Sequence, residues 1–204
     1  MHSLRFGCGF AIMALACMPE AVSAQAGGGA SLKADEAQSR LVADNAGIGT
    51  QLSSFAQQFL AIHNEERASV GARPLRWNMQ LEVEATSYAH TLAQIRELVH
   101  APRQGQSVER ENLLKAQTGW SPERMMQDWT IQKSDFVPGN YPNVALDGDP
   151  LHVSNYTLMI WPTTTDIGCG SAEGGGFEWV VCRYSPGGNR DGKPVGMPTI
   201  SPGA

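Results

Sequence analysis

Residues 154–189 read SNYTLMIWPTTTDIGCGSAEGGGFEWVVCRYSPGGN, and the chain is organised around them. Two apolar runs rich in β-branched and aromatic residues flank the glycine tip Gly174-Gly175-Gly176, the pattern of a β-hairpin. With Gly175 and Gly176 as the turn, Gly174 faces Phe177, and counting outward brings Cys169 opposite Cys182. Directly opposed residues on antiparallel strands have Cβ atoms close enough for a disulfide, so register and crosslink agree. The run ahead of the hairpin, 153–161, is apolar and short. Its periodicity fits a short helix or a strand equally well. It carries one conspicuous polar residue, Asn155, within a formal glycosylation sequon that we expect to be buried and unused.

Outward from this stretch, Pro186 to Ala204 is rich in glycine and proline and reads as a surface tail, with the domain ending near residue 190 and 191–204 lying beyond it. Upstream, 137–152 holds Pro138, Gly139, Pro142, Gly148 and Pro150 and reads as a long loop with His152 at its end. Ser121-Pro122 opens a helix as N-cap and first residue, with Met125, Trp129 and Gln132 on its inward face. His100 lies in the loop LVHAP, ahead of Glu111-Asn112-Leu113-Leu114.

A helix over about 79–96, capped by Asn78, puts Leu81, Ala85, Tyr88, Ala89 and Leu92 on one face, with His90 beside it. Small residues at 85 and 89 admit a close neighbour. The first helix, about 52–70, has an apolar stripe of Leu52, Phe55, Phe59 and Ile62 and stops at Gly71 and Pro74. His63, Asn64 and Arg67 form a polar face expected to hydrogen-bond the following segment.

The N-terminal residues 1–24 resemble a secretory signal: Arg5, an apolar core from Phe6 to Met18, and Val22-Ser23-Ala24 before Gln25. That core is short of the ~20 residues a membrane span requires. Acylation at Cys17 would want a large aliphatic where Ala14 stands, so simple cleavage is the expectation. Residues 25–50 read as a flexible leader and 51–190 as one folded domain. Cleavage removes Arg5 and Glu20 together and leaves the net charge at −5. An acidic surface argues against an electrostatic grip on nucleic acid or anionic lipid. It also leaves Cys169 and Cys182 as a pair in an oxidising compartment, extracellular or periplasmic, where a disulfide is expected.

Zincin, nucleophile-elbow and P-loop motifs are absent, and GCGSAEGGG joins strand to strand, unlike a dinucleotide-binding turn. The ordered set His63-Asn64 with Arg67, Pro74-Leu75 with Trp77, His100, Glu111-Asn112-Leu113, Trp129, Tyr156-Thr157 to Trp161, Gly168-Cys169 and Val181-Cys182-Arg183-Tyr184-Ser185-Pro186 resembles the CAP superfamily of cysteine-rich secretory, venom-allergen and plant pathogenesis-related proteins. The resemblance covers about residues 53–190. It implies an α+β fold, a three-layer α-β-α sandwich with a small antiparallel sheet flanked by helices, in a secreted protein.

The resemblance also implies a cleft in which two histidines and two glutamates can hold a divalent metal. His100 and Glu111 stand at two of those positions, Gln132 replaces the second glutamate, Asn155 replaces the second histidine, and Leu158 replaces a glutamine. Zinc sites use three or four thiolate, imidazole or carboxylate ligands, and carboxamides are poor substitutes. No bound metal or other cofactor is therefore expected. The four residues are expected to form a hydrogen-bonded polar cluster, with His152 as a candidate substitute ligand. The function implied is binding of a lipid, sterol or envelope component, in defence or virulence. The alternative is a metal-dependent hydrolase with Glu111 as general base and His100 as ligand.

Overall fold

The computed structural model describes residues 52–102 and 109–196. The signal-like segment 1–24, the leader 25–50 and the last residues of the chain, 197–204, lie outside the described residues. The first element is helix α1 (Ser54–Ser69), where Ser53 Oγ accepts from the Ala56 amide at 3.1 Å and satisfies an amide that a helix start leaves orphaned. Strand β1 (Arg76–Trp77) leads into α2 (Met79–Ile95), capped by the Asn78 side chain on the Gln80 and Leu81 amides. Then come β2 (Arg110–Gln117), α3 (Pro122–Thr130), a 3-10 turn at Ile131–Ser134 and β3 (Gly139–Asn140). A second 3-10 turn, Pro150–Val153, runs into α4 (Ser154–Met159), followed by β4 (Asp166–Gly174), β5 (Phe177–Ser185) and β6 (Pro194–Val195).

The hairpin forms as its sequence dictates. Gly175 and Gly176 take φ of +64° and +82°, the left-handed values a two-residue turn needs. Cys169 pairs with Cys182 in register and the two form a disulfide, with Cα atoms 4.0 Å apart. The central sheet has the order β1-β4-β5-β2. β4, β5 and β2 pair antiparallel as expected, and the two-residue β1 adds a parallel pair with β4, which makes the sheet mixed. The reason is topological, since β1 and β4 are joined by a long connection that returns over the sheet, as a parallel pair requires.

Alternation along β5 separates the two cores. Val180, Cys182 and Tyr184 join the larger cluster with Phe59 of α1, Trp129 of α3 and Met159 of α4. Trp179 and Val181 face the other way and pack with Ala85, Ala89 and Leu92 of α2. Helices therefore cover both faces, giving the three-layer sandwich. On the α2 side the contact is unusually close. A Cβ at Gly170 would lie 2.1 Å from Thr86 Oγ1 and 2.5 Å from its backbone nitrogen, and one at Gly168 would strike the Glu82 amide at 2.2 Å. The small residues at 85 and 89 and the glycines of β4 together let helix and strand backbones meet. Gly170→Ala is accordingly expected to destabilise the fold by about 2–3 kcal/mol, read as a lower urea midpoint at unchanged slope.

Other details depart from the linear pattern. The buried stripe of α1 is Ala56, Phe59, His63 and Arg67 instead of Leu52, Phe55, Phe59 and Ile62. The polar face does bond the following segment, through Asn64 with Leu75 and Arg67 with the Arg73 carbonyl, and His63 and Arg67 turn inward because further partners lie there. The 153–161 run is a helix, with Tyr156 to Met159 buried. The surface-tail reading after Pro186 is corrected for its described part: Gly187, Gly188 and Val195 are buried, and β6 pairs antiparallel with β3. Residues 139–140, expected as loop, form the other half of that pair.

Candidate functional site

A cleft of about 920 Å³ opens beside the start of β2. Its inner wall is built by strand alternation. Glu111 points into the cleft, while its neighbour Asn112, 1% exposed and also at the cleft wall, turns its side chain to the Asn155 carbonyl and the Tyr184 hydroxyl. Glu111 pairs across the ladder with Arg183 of β5, so register alone sets these two side chains on one face. His100 arrives from the loop after α2, which Tyr88 holds by donating its hydroxyl to the Val99 carbonyl at 2.7 Å.

The Glu111 carboxylate is heavily engaged. Oε1 accepts from the Ala101 amide at 2.6 Å and lies 3.1 Å from His100 Nδ1, while Oε2 stands 3.8 Å from Arg183 Nε. Burial alone would raise its pKa. The hydrogen bonds from His100 and the Ala101 amide, with the charges of His100 and Arg183, outweigh burial and hold the carboxyl below the usual range.

Asn155 also lines the cleft, on α4. Its backbone is clamped: its carbonyl accepts from Asn112 Nδ2 at 3.0 Å, and its amide donates to Gln132 Oε1 at 3.0 Å. Gln132 Oε1 also accepts from the Tyr156 amide at 3.1 Å. Of the expected four-residue polar cluster two separate pairs are seen, His100 with Glu111 and Gln132 with the Asn155 amide. His100 and Glu111 meet, whereas Gln132 is not a lining residue and spends its oxygen on the first amides of α4, as a cap delivered from another element. Gln132→Ala should cost about 1 kcal/mol through α4 without disturbing the His100–Glu111 contact, measurable by thermal unfolding beside the His100 imidazole NMR shifts.

His152, the candidate substitute ligand, is also corrected. It lies outside the cleft wall, its side chain 61% exposed, with Nδ1 paired to Asp147, which raises its pKa. His63 is 0% exposed, its Nδ1 bonded to the Phe59 carbonyl at 2.7 Å and its Nε2 to the Tyr184 hydroxyl at 2.8 Å.

Several residues of the cleft escaped the sequence reading, among them Glu84, Glu109, Arg183 and Asn189. Arg183 could have been found by extending the hairpin register to β2. Asn189 could not, since only folding brings its side chain between Thr157 Oγ1 and the Ser154 carbonyl, at 2.9 and 2.8 Å. The donor set does not suit zinc. From the four positions the cleft receives one imidazole and one carboxylate, Asn155 offers a carboxamide and Gln132 is committed elsewhere; Glu84 and Glu109 also line it, yet among the described residues no three such groups are placed to hold one metal ion.

Fold and cleft together define a three-layer module with the cleft at the sheet edge, and comparison with known proteins places it. The Cysteine-rich secretory protein family (CAP) model matches residues 60–184, and the chain belongs to that family. It is 31% identical over 134 residues to pathogenesis-related leaf protein 4 of Solanum lycopersicum, covering 65% of this chain and 78% of that one. It is 34% identical over 146 residues to pathogenesis-related protein PR-1 of Medicago truncatula, covering 69% and 78%. Among solved structures, NaASP2 with Zn2+ superposes with a TM-score of 0.57 at 22% identity, over 72% of this chain and 87% of that chain. This last likeness concerns the fold.

Proposed function

We propose that this chain is an exported, non-enzymatic binding module whose cleft takes an amphiphilic ligand: a lipid, a sterol or an envelope component, in a defence or virulence setting. The observation that carries this reading is the make-up of the cleft. Charged and polar groups, Glu111, Arg183 and Asn155, stand beside the apolar Leu151, which is 71% exposed, with the core residue Leu158 reaching the wall at 3% exposure. A polar headgroup on the charged wall and an apolar tail over the leucines would match that division.

Glu111 supports the same reading from the chemical side. A general base needs a free carboxylate near its working pH, and this one has Oε1 bonded to His100 and the Ala101 amide, the Arg183 charge beside Oε2, and a lowered pKa. The disulfide and the signal-like N-terminus favour export. Among the described residues no helix is long and apolar enough to cross a membrane.

Native mass spectrometry of the purified mature protein, with transfer of a fluorescent sterol or fatty acid from vesicles, tests the proposal. A bound or transferred hydrophobic molecule is expected. Protein that neither carries one nor takes one up would remove it.

A further inference from the structure

We infer that Arg183 is a built-in cation occupying the electrostatic place of a divalent metal, and that it closes the cleft to metal ions. Three carboxylates, from α2 and from the start of β2, converge on its guanidinium. Glu84 of α2 reaches Nη1 with Oε2 at 3.0 Å, Glu109 approaches the same nitrogen at 3.9 Å, and Glu111 of β2 faces Nε at 3.8 Å. The side chain is 19% exposed, and Nε is a buried donor with no hydrogen-bond partner. It is therefore held as a charge among charges more than as an ideal fork.

The position is rigid. Arg183 lies in mid-sheet, opposite Glu111 on β2 and Gly168 on β4, and the glycine leaves no side chain to push it aside. Glu84 sits on α2, whose backbone rests on that same glycine-bearing strand.

The physical consequence concerns spacing. A metal draws carboxylate oxygens to about 2 Å from one point. A guanidinium holds them around the edge of a plane several ångströms wide, and no group of three or more His, Cys, Asp or Glu able to hold a metal ion occurs among the described residues. Glu84, Glu109, Glu111 and His100 would form an acidic pocket with a strong demand for a cation; Arg183 supplies one from the chain itself. This inference is independent of whether the cleft binds a lipid.

The test is titration of Zn2+ into the mature protein and its variants by calorimetry, counting as cleft binding only what Glu111→Gln abolishes. Surface binding near His152 is separated in this way. Arg183→Met is expected to gain Glu111-dependent zinc binding at least tenfold tighter than the parent, with a thermal midpoint that falls on adding EDTA. The parent and Arg183→Lys should show neither. A folded Arg183→Met with the parent's zinc affinity overturns the inference, as does Glu111-dependent zinc binding by the parent or by Arg183→Lys. If Arg183→Met does not fold, the parent and the lysine variant decide. Absence of cleft zinc in both, with folding restored by lysine, supports the cation's role, and failure of lysine to restore folding counts against it.

Discussion

Arg67→Met is expected to lower stability by about 4 kcal/mol, or roughly 10–15 °C in thermal midpoint. Arg67 is 0% exposed, and its guanidinium reaches four backbone carbonyls. Nε donates to Arg73 at 2.6 Å, Nη1 to Met159 and Trp161 at 2.9 and 2.8 Å, and Nη2 to Thr164 at 3.0 Å. Met159 ends α4 and Trp161 follows it, so the cation also meets the negative end of that helix. Burial lowers its pKa to about 10, which leaves it charged at neutral pH. Methionine fills the space but takes a donor from four carbonyls, of which Trp161 keeps the Thr164 amide at 3.2 Å, and buried carbonyls without donors are costly. Lysine restores the charge but not the fork, and should recover less than half of the loss. Urea unfolding of the two variants measures this; a loss below 1 kcal/mol for Arg67→Met would refute the argument.

The second large effect is acid sensitivity set by His63. Burial pushes its imidazole from 6.5 down to about 4, opposed by the bond to the Phe59 carbonyl and aided by the nearby Arg67 charge. The unfolded chain therefore takes up the proton first. Stability is complete above about pH 6.5, falls as the pH drops from there, and levels off below about 4. The loss approaches about 3 kcal/mol at ~1.4 kcal/mol per pKa unit. Glu111, with its lowered pKa, acts in a different window: its stabilisation is present above the ordinary carboxylate range and disappears as the pH falls below it. His152 has the opposite sign, since its raised pKa removes stability as the pH rises through it, and it lies on the surface. The interval from 6.5 to 4.5 therefore reports His63. Urea unfolding at several pH values, for the parent and His63→Gln, should show a slope that the variant loses. An identical slope in both would mean that another group is responsible.

These two residues show where reading the linear sequence stops. His63 and Arg67 carry polar groups at helical spacing, read as a face that hydrogen-bonds the following segment, which Arg67 does only in part through the Arg73 carbonyl. In the fold that face is dry, because Tyr184, Phe59 and the carbonyls after α4 supply a partner for each group. Those partners lie up to 121 residues away, and no local pattern encodes them. The cleft divides in the same way. That Asn155 and Gln132 replace a histidine and a glutamate is visible in the residues themselves, while the use of the Gln132 oxygen as a cap on α4 is not.

Local chemistry was enough to specify the hairpin. Two consecutive glycines with positive φ permit one tight turn, and period-two alternation then leaves Cys169 only one partner in register. Capping likewise marked the helix starts at Asn78 and Ser121, because those side chains bond amides two or three residues ahead. Long-range decisions needed the folded chain. These include the parallel pairing of β1 with β4, the pairing of Val195's strand with residues 139–140, and the convergence of Glu84, Glu109 and Glu111 on Arg183. Each depends on which surfaces meet when helices close over both faces of the sheet. A turn or a cap is written within a few residues, whereas the neighbours of a charge are chosen by packing.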